Sequence, residues 1–237
     1  MGIFSKKIKF SEFGFTHDYH THLLPGVDDG FKSTENSIKA LSIMKDNGYR
    51  NVVCTPHINP DVYQFNTEKL MKDRFEVFKA QIPKELDINI SLGAEYMITQ
   101  DFEKRDPNKL LRMDSNSVLI EMSYLYKSKN VEEAIFNISM AGLVPVLAHP
   151  ERYNYMIGEL KNFDKWYDMG CVFQLNLLSL SGVYGSASIK IIEYISTHLN
   201  YQYCGTDIHS LEYLEKIMNI RANKSFDNLI KGLQNNF

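Results

Sequence analysis

The sequence predicts one α/β domain whose parallel strands are arranged as a barrel, and three observations carry that prediction. Short apolar or β-branched runs alternate with longer helical patterns seven times, with no proline- or glycine-rich linker to divide the chain. Polar motifs carrying histidine or a carboxylate follow nearly every apolar run. A barrel assembles its site from the C-terminal ends of many strands, whereas a doubly wound open sheet binds at one crevice fed by a few loops. The length, 237 residues, suits one domain of barrel size with a real core.

Taken in order, the first strand is expected to end near Tyr19, before a helix over 33–47 in which Ile38, Leu41 and Met44 recur at a spacing close to a helical stripe. Ser33 is only a weak cap for it, since Asn36 stands where the capping box wants Glu or Gln. A strand ending near Thr55 precedes a helix over 67–81, and further strands end near Gly93 and Glu121. Helices over 131–141, 159–169 and 187–198 alternate with strands ending near Ala148, Asn176 and Gly205. Helices over 211–220 and 225–234 close the chain. Residues 1–14 are read as an N-terminal arm, frayed and solvated. Its opening, MGIFSKKIKF, is too short and lysine-interrupted for a secretory signal, and Lys6 stands where myristoylation needs Ser or Thr.

Composition sets further bounds. Apolar residues make up 44% and charged residues 23%, with a formal net charge of -3 and no basic tract of the kind that grips nucleic acid. No run approaches the ~18 apolar residues of a membrane span. Cys54, Cys171 and Cys204 are widely spaced in apolar runs, which fits reduced packing residues in a cytoplasmic protein.

The chemistry lies in the motifs DYHTHLLPGVDDG, CTPHINP, LGAEY, LIEMS, AHPER and GTDIH. His20 and His22 are two apart on an extended segment, so both imidazoles point to one side and can share an ion. The same spacing joins Asp207 to His209, and His57 and His149 also stand at strand ends. His17 and His198 lack such company and are read as ordinary core or surface histidines. Glu95 and Glu121 each follow an apolar run; each alone is as readily a solvated loop carboxylate, but among these histidines a ligand role is favoured. A bridging carboxylate would hold two ions together.

As an ordered set, H-x-H, DDG, TPH, G-x-E, IE, HPER and D-x-H resemble the PHP (polymerase and histidinol phosphatase) superfamily, and within it the bacterial tyrosine phosphatases of the CpsB/YwqE type. The resemblance runs from about Asp18 to His209 and implies a distorted seven-stranded, TIM-like barrel. It also implies three divalent metal ions, with manganese expected and iron or zinc admitted by the mixed donor set. His20, His22, Glu95 and Asp207 would hold the first; Glu95 would bridge to the second, completed by Glu121 and His149; Asp29, His57 and His209 would hold the third. Asp28, the first acid of DDG, is read as a turn residue. Arg152 of HPER matches the phosphate-binding arginine, against the plainer reading of a surface arginine. Four carboxylates against three divalent ions leave a net positive shell, which suits a phosphate dianion.

The activity implied is hydrolysis of phosphotyrosine, with a bacterial tyrosine kinase controlling capsule or exopolysaccharide synthesis as the partner. A cysteine nucleophile is excluded: the sixth residues after the cysteines are Pro60, Leu177 and Ser210, where a C-x5-R loop needs arginine. The alternatives are a histidinol-phosphate or other small-molecule phosphatase, against which Glu121 leans, and a metal-binding phosphoprotein adaptor without turnover. Tyr63, Tyr96, Tyr124 and Tyr153 are candidates to flank a phenyl ring, although core or rim packing is expected for most. One departure stands out. The close tyrosine phosphatases carry a second arginine five residues after the last motif histidine, and here that position is Leu214. Leu214→Arg is expected to improve phosphate binding if residue 214 faces the cleft, and Lys216 is a candidate substitute donor.

Overall fold

Each apolar run becomes a strand and each longer amphipathic pattern a helix in the structure, a computed structural model that describes residues 7–100 and 102–234. The order begins β1 (Lys7–Lys9), β2 (His17–Thr21), α1 (Thr34–Asp46), β3 (Asn51–Cys54), β4 (His57–Ile58), α2 (Glu68–Lys79), β5 (Asn89–Leu92), β6 (Glu95–Met97). It continues β7 (Ser117–Glu121), α3 (Val131–Met140), β8 (Val144–Ala148), α4 (Lys161–Asp168), β9 (Val172–Asn176), α5 (Gly185–His198), β10 (Tyr201–Gly205). The last elements are α6 (Leu211–Met218), β11 (Arg221–Asn223) and α7 (Asp227–Gln234). No helix among the described residues is long and apolar enough to cross a membrane.

The central strands run parallel in two sheets, ordered β10-β9-β8-β7-β6-β4 and β2-β3-β5. Val118, Leu119 and Ile120 of β7 and Val146, Leu147 and Ala148 of β8 are fully buried, the near-continuous apolar pattern of strands covered on both faces. Two of the expected strands are broken in two and change sheet part-way: β3 gives way to β4 at Thr55–Pro56, and β5 to β6 at Gly93–Ala94. Pro56 has no N–H to give a ladder. At Gly93 a Cβ would stand 3.3 Å from Arg112 O and from Met113 Cα, a tight approach that favours a residue without a side chain. The two sheets are linked by backbone bonds at the same end of the molecule, Asp207 N to His20 O and His22 N to Ile208 O, with Thr21 bridging Ile208.

Three helices start on side-chain caps. Ser33 accepts from the Asn36 amide, Thr67 from Leu70 and Ser210 from Tyr213. Ser33 therefore caps α1 despite the missing acidic partner, because an extended cap residue with a free hydroxyl oxygen suffices.

Residues 7–14 do not form a solvated arm. β1 pairs antiparallel with β11, Phe10 N donates to Ile220 O, and Phe10 and Phe13 are buried with Phe15 in the core. Burying three rings outweighs the ordering of so short a segment. The first six residues, Lys6 among them, lie outside the described residues.

Candidate metal centre

The polar motifs meet where the parallel strands end. His20 lies in β2 and His22 one residue past it, and strand alternation brings their Nε2 atoms to 3.2 Å. Glu95, first residue of β6, places Oε2 at 3.1 Å from His20 Nε2 and 3.4 Å from His22 Nε2. Asp207 Oδ1 stands 3.4 Å from both. These are the four residues expected around a first ion.

Glu95 is approached from its other side as well, with His149 Nε2 at 2.9 Å from its Oε1. His57 Nδ1 lies 3.1 Å from Glu95 Oε2 and 3.1 Å from Glu121 Oε1. The resemblance groups Glu121 with His149; here Glu121 is nearer His57, while His149 clusters with His20 and Asp207. Burial would lower the His57 pKa, but Glu121 and Glu95, each 3.1 Å from its Nδ1, raise it to about 9. At the mouth, Asp29 Oδ1 is 3.5 Å from His57 Nε2 and 3.6 Å from His209 Nε2, with His22 completing the cluster. All the expected ligand residues are thus brought together.

Backbone strain is concentrated here. Among the described residues, Asp87, His149 and Asp207 are the non-glycine residues with positive φ, and two of them are in the cluster. Asp207 and His209 are therefore not juxtaposed by simple alternation. Asp207 turns at φ 54, and His209 Nδ1 bonds back to its carbonyl at 2.8 Å. Gly205 makes room for this: a Cβ there would stand 2.4 Å from His20 Cβ.

The cluster fits divalent ions on its own chemistry. His57 Nδ1, Glu95 Oε2 and His149 Nδ1 are buried with no hydrogen-bond partner. Each such atom costs about 1–3 kcal/mol unless something else satisfies it. Burial should raise the Glu95 carboxyl, yet His20, His57 and His149 hold it well below the usual range. Histidine nitrogens must be free of protons to bind an ion, so affinity for metal rises with pH in this site.

Several functional residues escaped the sequence reading. Asp28 is buried and is more than a turn residue: besides the Gly30 amide it accepts from His22 Nδ1 at 2.8 Å and from the His57 amide at 3.1 Å. Burial would raise its carboxyl, but His22 and His57 and the Gly30 amide bring it to about 2. Gln174 Oε1 stands 3.0 Å from His20 Nδ1 and accepts from the His149 amide. Asp18 anchors the His20 amide and Thr206; burial raises it to about 6 in spite of those bonds. Asp18 had a legible signal, since it extends the His20–His22 alternation by one step. Asp28→Asn is expected to weaken divalent-ion affinity about 10- to 100-fold, because it removes the carboxylate that fixes the His22 tautomer. Calorimetric metal titration checks this, and unchanged affinity would return Asp28 to a turn role.

Arg152 follows His149 in a short 3-10 turn, and its Nη1 donates to Asp207 Oδ2 at 2.7 Å. It is partly buried and lies against the cluster. Tyr63 stacks on the His57 ring and the half-exposed Tyr124 lies beside His149. Tyr96 and Tyr153 are buried, accepting from the amides of Leu111 and Met122, so they pack the core. Leu214 is fully buried on the inner face of α6 and does not face a cleft, and Lys216 pairs outward with Glu212. His17 bonds to Asn51 and His198 to the Tyr194 carbonyl, both outside the cluster. The three cysteines are buried and free, and burial pushes Cys54 and Cys171 up to about 12.

The family model described as capsular polysaccharide synthesis, CpsB/CapC, matches residues 16–223. The chain belongs to the CpsB/CapC family. It is 34% identical over 168 residues to the tyrosine-protein phosphatase CpsB of Streptococcus pneumoniae, covering 69% of this chain and 68% of that protein. Tyrosine-protein phosphatase YwqE of Bacillus subtilis is 26% identical, covering 82% of this chain and 78% of its own length. Among solved structures, a chain from the crystal structures of YwqE and CpsB, described as metal-dependent tyrosine phosphatases, superposes with a TM-score of 0.74 at 23% identity. That match covers 85% of this chain and 84% of the other, which shows a shared fold.

Proposed function

We propose that this chain is a metal-dependent protein-tyrosine phosphatase. The observation that carries the reading is the convergence of His20, His22, His57, Glu95, Glu121, His149, Asp207, His209 and Asp29 beside Arg152, with buried donors left unpaired. His20, His22, Glu95 and Asp207 would hold one ion, Glu95, Glu121 and His149 a second, and Asp29, His57 and His209 a third, manganese being the expected metal. The two parallel sheets are read as the walls of one distorted seven-stranded barrel that carries this cluster at its mouth.

Bound divalent ions supply a hydroxide at neutral pH and Lewis acidity toward the phosphoryl oxygens. The protein does the rest. Asp207 is divided between two tasks: Oδ1 faces His20 and His22, while Oδ2 accepts from Arg152 and from Asn176 Nδ2. Arg152 is thereby aimed at the cluster, with the rest of its planar fork available to phosphoryl oxygens. Tyr63 and Tyr124 stand at the rim, where a substrate phenyl ring enters. The leaving group is a phenolate whose conjugate acid has a pKa of ~10, so a strong general acid is not required. The substrate is a phosphotyrosine protein in the cytoplasm, with a bacterial tyrosine kinase controlling capsule or exopolysaccharide synthesis as the physiological partner.

Chelation is expected to abolish hydrolysis of a generic aryl phosphate, and one divalent ion to restore most of it. Iodoacetamide should leave activity largely intact, since the cysteines are buried. A panel of phosphotyrosine peptide, phosphoserine peptide and histidinol phosphate, run across metals, separates this reading from a small-molecule phosphatase. An adaptor would bind without turnover. Full activity of protein shown metal-free by elemental analysis would sink the mechanism.

A further inference from the structure

The Arg152 guanidinium is gripped from several loops at once. Its carbon lies 4.3 Å from the centroid of the Tyr124 ring and 4.8 Å from that of Tyr184, so aromatic rings from the loops after β7 and β9 both hold it. The Tyr184 hydroxyl meets the Tyr213 hydroxyl at 2.7 Å. The Tyr213 hydroxyl accepts from Asn176 Nδ2 at 3.5 Å, and the same nitrogen donates at 3.0 Å to Asp207 Oδ2, the oxygen that takes Arg152. Contacts therefore form a closed circuit through Arg152, Tyr184, Tyr213, Asn176 and Asp207. Tyr184 and Tyr213 are half-buried, packing against the edge of the core with their hydroxyls bonded to each other.

We propose that Tyr184, braced by Tyr213, is a positioning residue for Arg152. The inference rests on the phosphatase reading for its ligand, a phosphoryl group. A free arginine loses much rotamer freedom when it binds an anion. Packing rings against the guanidinium spends that freedom beforehand and leaves in-plane N–H directions open to phosphoryl oxygens. The brace is neutral, so it orders the single cation without adding another.

The test uses the metal-loaded protein and two readouts: inorganic phosphate binding by calorimetry, and KM and kcat on 4-nitrophenyl phosphate. Tyr184→Ala is expected to weaken phosphate binding and raise KM about tenfold, with a smaller change in kcat. Tyr184→Leu, bulky but without a π face, should behave like alanine, whereas Tyr184→Phe and Tyr213→Phe keep the ring and should cost about two- to threefold. In an Arg152→Ala background, Tyr184→Ala should add less than about twofold, because its effect runs through the guanidinium. Phosphate affinity within twofold of wild type for both Tyr184→Ala and Tyr184→Leu overturns the proposal. So does a full tenfold loss that persists without Arg152. The binding arm needs no turnover, so a wild type that binds phosphate without hydrolysing esters removes the phosphatase reading and still measures the brace.

Discussion

Glu95→Gln is expected to lower kcat on a phosphotyrosine peptide by about 10²–10³, the scale of an essential electrostatic group. The substitution keeps volume and removes a charge that four imidazoles face: Oε2 lies within 3.4 Å of His20, His22 and His57, and Oε1 within 2.9 Å of His149. Two consequences should appear together. Metal content after dialysis should fall, because no other carboxylate approaches all four rings, and the loss of turnover should not be recovered by raising substrate. His198→Ala, at the exposed end of α5, serves as the comparison and should match wild type. Equal kcat for Glu95→Gln and wild type would make Glu95 a spectator carboxylate.

The fold and the site were legible to different depths. Strand and helix order follows from period, and it survives in the structure because parallel strands buried on both faces need uninterrupted apolar runs such as Val118–Ile120. Most candidate ligands were legible because they sit at strand ends in short polar motifs, whereas Asp29, in the loop between β2 and α1, was placed by the resemblance alone. What the sequence hid were contacts between distant segments. Gln174 orients His20 across 154 residues, and no local pattern marks a glutamine inside an apolar strand as a histidine partner. Asp28 looked like a turn residue because it is one, and its second role depends on where His22 and His57 land. The N-terminal stretch misled through its lysines, which masked Phe10, Phe13 and Phe15 as core residues. For Leu214 the expectation hung on which side of α6 it occupies, which sequence does not mark, and the residue is fully buried.

That last point gives the second large effect. Leu214→Arg is expected to destabilise the protein by about 3–5 kcal/mol, the cost of an unpaired charge in a buried place. On α6, Leu214 and Ile217 are spaced by three and both fully buried, while Glu212 and Lys216 pair on the outer face at 2.8 Å. The acidic residues next to it in sequence, Glu212 and Glu215, are exposed on the outer face, and Tyr213 already bonds Tyr184. For a chain of this length such a loss corresponds to a fall in Tm of about 10 °C. Differential scanning calorimetry reads it directly, with Leu214→Met as the volume-conserving comparison expected to cost less than about 1.5 kcal/mol. Phosphate affinity should not improve in the arginine variant, because the new side chain cannot reach the cluster without unseating α6. A variant that melts with wild type and binds phosphate more tightly would mean that α6 turns residue 214 toward the cleft.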